Sequence, residues 1–412
     1  MRKRPRDPDA GRFPGDIRPP WVLSIDTGVD ADDLSPDQWK QTRSGAVELD
    51  FRQIIALPNR RGFWCSASSP NPKGPVALLA SDRVYLIDTS GDVRESPLPP
   101  APPGYKVATG DLYLLGKSGV EQLVVARHLD PLGKPVTGKE QGAVEFLLPL
   151  TNEPPWIVSL QNRYVERVCC IENAEGRLGA AVMTGPWGAK VIWRNGREEV
   201  IATQPSWAAG HVPRAALVQE MPAPMNKRSV QRITAIELTD DQPVLTTAFE
   251  AGEGQNVELG NQTLIGASPT LRGRGALPFT TQFPGKHRER WAMRRRGDGD
   301  GMVIADSVPG EPRGGWPLTL TTDNGSEVQI ATWGDLVRMS GTGPSARHSG
   351  RSVSAIGAFL ADHEKDAAAW RIDGYSARVV ELSPSSLLIT HNCRAWVVTA
   401  HMRRPGSQTP SK

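Results

Sequence analysis

The chain is short of the features that usually betray an activity. Only four of its 412 residues are cysteines, Cys65, Cys169, Cys170 and Cys393, and their spacing matches no metal-ligand pattern. Buried, reduced thiols are therefore expected, as in a cytosolic protein. No stretch approaches the roughly 18 uninterrupted apolar residues of a membrane-spanning helix. The basic start, MRKRPR, lacks the apolar segment of a signal peptide. Neither charge dominates: 48 basic and 45 acidic side chains leave a net +3. That balance excludes a wholesale nucleic-acid binder and confines any polyanion site to a local patch. The reading is a soluble, cytoplasmic protein with no membrane association.

Gly and Pro are abundant, 77 residues together, and they interrupt the chain every five or six positions. Long helices have little room between such breaks, whereas short strands joined by turns fit well. The 12 Trp argue against a disordered chain.

Between the breaks, one texture recurs. Residues 63–93 read FWCSASS, PVALLAS and RVYLIDTSGDV; residues 168–199 read VCCIEN, AAVMT and AKVIWRNGREE; residues 354–382 read SAIGAFLA, AAAWRI and ARVVEL. Looser copies begin near Leu112, Ile233 and Trp291. Apolar runs this short, rich in Val, Ile, Leu, Ala and Trp and bounded by Gly, Asp, Asn or Pro, are strands. Copies start about 50 to 65 residues apart, room for a four-stranded sheet with generous turns. Small sheets cannot each bury two faces alone, but arranged radially they cover one another. The expected fold is all-β: a β-propeller of six or seven four-stranded blades over residues 46–402. The hairpin at 386–401 is expected to complete a blade with N-terminal strands such as residues 46–58, closing the ring. In this blade-like texture over residues 50–400 the chain resembles the divergent bacterial propellers that accompany AAA-type ATPases and von Willebrand factor A proteins. That resemblance implies a place in a larger assembly.

Before the ring, LSPDQWKQT (residues 34–42) has Ser35 at a cap, Pro36 at the first helical position and Gln38 three after the cap. This pattern predicts a short helix within an N-terminal segment, 19–45. The polar ends, 1–18 and 403–412, are expected to be disordered.

Each fragment of possible chemistry has a plainer explanation. Asp88-Thr89-Ser90-Gly91 and Asp26-Thr27-Gly28 brush against the tripeptide of aspartic proteases, which need two matching carboxylates sharing a proton. These two do not match and lie only 62 residues apart, so Asp88 reads as a turn former bonding its own backbone. Asp26, Asp30, Asp32 and Asp33 lack the calcium-loop pattern, as do Asp298 and Asp300 in GDGDG. The histidines, His128, His211, His287, His348, His363, His391 and His401, have no zinc-helix spacing. No serine sits in a nucleophile elbow, and GTGPSARHSG has Gly341 and Gly343 without the Lys-Ser/Thr of a phosphate cradle. Trp64, Trp187, Trp193, Trp333 and Trp396 are expected mainly to pack between blades, with Trp187 in a loop where it could anchor a contact.

The sharpest local feature is KHRERWAMRRR, residues 286–296, with six basic residues against one Glu. As a strand it places Lys286, Arg288, Arg290, Arg294 and Arg296 on one face and Trp291 and Met293 on the other. Such a face suits an acidic partner or polyanion, with Arg272 and Arg274 nearby, or else protects an outer edge strand from aggregation. No cofactor or metal is expected. The sequence thus points to a non-catalytic protein-binding platform. Its alternatives are a hydrolase or lyase with carboxylates or His in the central channel, and a binder of nucleic acid or another polyanion through the basic strand.

Overall fold

The computed structural model describes residues 34–403 apart from 59–61, 70, 72, 117–121, 134–141, 163–165, 203, 221–229, 260–276, 283–287, 296–301, 309–317, 338–350, 361–362, 364–365 and 375–376. At some strand positions, Arg288, Arg290 and Arg294 among them, it describes the backbone only.

Strands β1 (Lys40–Arg43) and β2 (Val47–Ala56) come first in the chain but belong to the last two blades. Blade 1 holds β3 (Cys65–Ser68), β4 (Val76–Leu79), β5 (Arg83–Ile87) and β6 (Val93–Pro97). Blade 2 holds β7 (Tyr105–Leu115), β8 (Gln122–Pro131), β9 (Ala143–Leu147) and β10 (Trp156–Ser159). Blade 3 runs through β11 (Arg167–Glu172), β12 (Leu178–Gly185), β13 (Gly188–Trp193) and β14 (Glu198–Ala202). Blade 4 runs through β15 (Ser206–Val212), β16 (Ala215–Glu220), β17 (Arg232–Thr239) and β18 (Gln242–Glu250). In blade 5 are β19 (Asn256–Leu259), β20 (Leu277–Gln282), β21 (Arg288–Arg295) and β22 (Val303–Val308). Blade 6 comprises β23 (Leu318–Thr321), β24 (Glu327–Val337), β25 (Arg351–Leu360), β26 (Ala368–Asp373) and, fifth, β1. Blade 7 comprises β27 (Arg378–Ser383), β28 (Ser386–His391), β29 (Arg394–Met402) and, outermost, β2.

Every pairing is antiparallel, as short turns between successive strands require. Among the described residues the fold is thus an all-β propeller with seven blades. The first strand of each blade lies innermost, and neighbours such as β27 and β3, β3 and β7, and β11 and β15 touch across the blade boundary.

Burial explains why the ring forms. One apolar cluster joins blades 2, 3 and 4 through Tyr113, Ile171, Val182 and Ile236. Others join blades 4 and 5 (Leu217, Phe279, Met293), 6 and 7 (Ile330, Trp370, Trp396), 7 and 1 (Val380, Leu388, Leu78), and 1 and 2 (Leu79, Leu112, Val125). Blades 1, 2, 3, 4 and 7 each hide both faces against two neighbours in this way, worth about 1.5–3 kcal/mol per buried aliphatic side chain before conformational entropy is subtracted.

Closure is carried by the N-terminus, as the sequence suggests. β2 pairs with β29 from Val47 opposite Met402 to Ala56 opposite Arg394. The helix expected over residues 34–42 does not form: the chain bends at 36–38 and enters β1, which pairs with β26. Ser35 still caps locally, its Oγ accepting the amide of Asp37 at 3.1 Å. The deciding residue is Trp39, buried with its ring stacked on Phe51 at 5.5 Å and edge-on to Trp396 at 6.2 Å. A helix of nine residues is marginal by itself, whereas a buried Trp and a strand ladder are not. Among the described residues no helix is long and apolar enough to cross a membrane.

Candidate interaction surface

Among the described residues, most of those that the sequence brings forward are absorbed into the scaffold. Asp88 closes the turn after β5: its Oδ1 accepts the amides of Ser90 and Asp92 at 2.9 and 3.0 Å and the Ser90 hydroxyl at 2.5 Å. Those bonds, that from the Ser90 hydroxyl foremost, hold its carboxyl below the usual range. It is a turn, not a catalytic carboxylate. Asp26, Asp30, Asp32, Asp33, Asp298 and Asp300 lie outside the described residues. Cys65, Cys169 and Cys170 are buried free thiols whose pKa burial pushes up.

The basic stretch is not an edge strand. β21 is the third strand of its blade, paired to β20 on one side and β22 on the other. The edge-protection reading therefore fails: both backbone edges of β21 are occupied. Trp291 and Met293 enter the cluster between blades 4 and 5, as the alternation predicts. Arg288, Arg290 and Arg294 fall within β21, while Lys286, Arg296, Arg272 and Arg274 lie outside the described residues.

Trp193 and Trp396 are buried and Trp64 packs against the cluster of blades 1 and 2. Trp187, the loop candidate, is partly buried, with its indole N–H donating to Glu166 Oε1 at 3.2 Å and Lys190 over its ring. It holds the β12–β13 turn in place.

Among the described histidines none meets another; His287 and His348 lie outside the described residues. His128 faces Asp111 at 3.1 Å, His401 lies 3.2 Å from the Thr399 hydroxyl, and His363 is exposed. His391 is buried at the end of β28 against Gly374 and the Trp39 ring. Among the described residues no three His, Cys, Asp or Glu side chains converge as a metal site would require.

Two polar sites escape sequence reasoning because their members are far apart in the chain. At the end of β11 the buried Glu172 carboxylate meets His211 of β15 at 3.2 Å and accepts the amides of Gly116 and Arg214, each at 3.0 Å. Tyr113 of β7 sets its ring edge-on to His211 at 5.5 Å. Burial alone would raise the Glu172 pKa, but His211 and the two amides outweigh it and hold the carboxyl below its usual value. It stands on blade 3 and its oxygens are occupied by groups from blades 2 and 4, so it acts as a clamp between the three. A groove of about 230 Å³ at the seam of blades 7 and 1 is walled by Asp50, Arg52, Ser90, Ser383, Ser386 and Thr399. Arg52 spans it, donating to the Ser90 carbonyl at 2.9 Å.

The outer rim is different. Outermost strands of four successive blades present large apolar side chains to solvent: Val93 on β6, Ile157 on β10, Val200 on β14, and Val244 and Leu245 on β18. Val200 is 63% exposed. Scattered single apolar residues, such as Leu132, Leu150 and Met302, are ordinary on a surface; recurrence on the outermost strand of consecutive blades is the feature. Val200 follows Glu198 and Glu199, so composition alone reads that strand as solvent-facing and unremarked.

No protein-family model matches the chain, and no curated protein matches it. Among solved structures it is similar to virginiamycin B lyase from Staphylococcus aureus, at 12% identity over 85% of this chain and 99% of that one, with a TM-score of 0.37. It is also similar to the WD40 domain of SCAP from fission yeast, at 9% identity over 88% and 98% of the two chains, with a TM-score of 0.32. Nothing in these comparisons links the chain to AAA-type ATPases or von Willebrand factor A proteins.

Proposed function

We propose that this protein is a non-catalytic protein-binding scaffold acting within a larger cytoplasmic assembly, and that its outer rim is the contact face. The observation that carries the reading is the repeated exposure of apolar side chains on β6, β10, β14 and β18 in a ring whose interior is otherwise well packed. Water-exposed Val, Ile and Leu on rigid strands offer binding energy at little cost in ordering. Loops joining the blades add variable polar contacts around that apolar band. Buried free thiols suit a reducing compartment.

The test is affinity purification of the full chain from its host, in parallel with the double variant Ile157→Lys/Val200→Lys. A stoichiometric partner retained by the wild type and lost from the variant, at unchanged melting temperature, supports the scaffold. Retention by both, or a partner lost only with added salt, contradicts the apolar rim.

A further inference from the structure

We infer that the outer edge of β18, with which no described strand pairs, is a docking site for an extended segment of a partner protein, added as a fifth, antiparallel strand to blade 4. The segment is uncharged where it pairs and carries Lys or Arg just after, on its C-terminal side. The inference rests on the rim being the contact face and assigns one strand of it a mode of recognition.

The backbone directions follow from the hairpin. β17 and β18 are joined by two residues, Asp240 and Asp241, both with positive φ (50° and 58°), and Thr239 pairs with Gln242 across them. Two central residues of positive φ make a type I′ turn, whose flanking pair is hydrogen-bonded. Antiparallel alternation then directs the backbone groups of Gln242, Val244 and Thr246 toward β17. Pro243, Leu245 and Thr247 direct theirs outward. Pro243 agrees with this parity, because a proline in a sheet sits where its missing N–H faces away from the ladder. The edge therefore offers the N–H and C=O of Leu245 and Thr247 and the C=O of Pro243.

Beyond Pro243, near its start, the composition of β18 leaves that edge unguarded. Proteins block outer strands with charge, proline or shortness. Among the outer strands of blades 1 to 5, β6 carries Arg94 and Glu95, β14 carries Glu198 and Glu199, and β10 has four residues. β18 is the longest of these at nine residues and has no charge from Gln242 to Phe249. Val244 and Leu245, successive and so on opposite faces, are 46% and 43% exposed. An added strand would cover both.

The same chain shows such an addition elsewhere. β1 joins the outer edge of β26 antiparallel, making blade 6 five-stranded. A strand added to β18 in that direction ends beside Gln242 and leaves past Asp240 and Asp241, both exposed. Two adjacent carboxylates there select a basic residue on the incoming segment. They also disfavour a second copy of β18, which would bring its own Glu250 to the same place.

Selection of random peptides displayed on phage, against the full chain and against Leu245→Pro, tests this. That substitution removes an outward N–H and no internal bond, and equal melting temperatures verify its fold. Peptides enriched at least tenfold on the wild type over the variant are expected to share an uncharged, β-branched or aromatic run followed by Lys or Arg. Asp240→Asn/Asp241→Asn keeps residues tolerant of positive φ and should abolish the basic preference while retaining the run. No enrichment over Leu245→Pro, or basic residues placed before the run, overturns the inference. So does a concentration-dependent dimer of the full chain that Leu245→Pro converts to monomer, which would identify a second copy as the occupant. Failure here with partner capture still sensitive to Ile157 and Val200 removes the strand-addition site and leaves the scaffold reading standing.

Discussion

Arg52, on the N-terminal strand β2, donates from Nη2 to the carbonyl oxygen of Ser90 at 2.9 Å, across the seam where the last blade meets the first. Gly91 follows with φ of 84°, and a Cβ there would lie 2.4 Å from Arg52 Nη2 and 2.8 Å from Val397 Cγ2. The seam therefore depends more on the absent side chain than on the hydrogen bond. Gly91→Ala combines backbone strain with overpacking and should destabilise by about 1–3 kcal/mol. Arg52→Ala, at an exposed site, should cost about 1 kcal/mol or less. Urea titrations of both variants check the order; a costlier Arg52→Ala would contradict it.

Arg127 of β8 and Glu145 of β9 form a buried pair, with Arg127 Nε to Glu145 Oε2 at 2.9 Å and Arg127 Nη1 donating to the Pro99 carbonyl at 2.6 Å. Glu145→Leu alone strands a guanidinium in the interior and should cost about 3–5 kcal/mol. Arg127→Met/Glu145→Leu should recover most of that loss. The Pro99 and Pro100 carbonyls then lose their donor, so recovery is expected to be incomplete. A double-mutant cycle by denaturant titration measures it.

Glu172 has a depressed pKa in the fold, so the unfolded chain binds its proton more readily. Its stabilisation is full above the unfolded value, about 4.3, and is lost as pH falls through the folded one. In Glu172→Gln the stability curve should flatten over that acidic window, with a loss of about 2–3 kcal/mol at neutral pH from the weakened bonds to His211, Gly116 and Arg214. Melting curves from neutrality to pH 3 test the sign; an undiminished acid slope in the variant would refute the clamp.

His391 titrates in a higher window. Burial lowers its pKa, partly opposed by the Gly374 backbone and Asp373. A depressed histidine favours the fold above its unfolded value, near 6.5, and weakens it as pH falls below that. His391→Gln should remove this component of the melting-temperature drop between pH 7 and 5. An unchanged drop would place its origin elsewhere.

Turns and strands were legible because their causes are local. Asp88 bonds its own next residues, and Asn195-Gly196 ends β13 with Gly196 at φ 85°. Ring closure was legible too, since the unpaired apolar pattern of 46–58 needed a partner and the C-terminal hairpin lacked one. Residues 34–42 misled because the capping pattern is local while the burial of Trp39 against Phe51 and Trp396 is not. The basic strand misled in the same way: charge density suggested an edge, whereas strand order inside a blade is decided by pairing with β20 and β22. Glu172, His211 and Gly116 come from three blades, so their meeting leaves no spacing to read.

Hydrogen exchange of the full chain, alone and bound to the protein it retains on purification, tests the rim most directly. Slowed amide exchange concentrated in β10, β14 and β18, with the inner strands β3, β7 and β11 unchanged, is the result predicted. Slowing confined to the inner strands and the turns at the channel ends, with the outer strands unaffected, would contradict it.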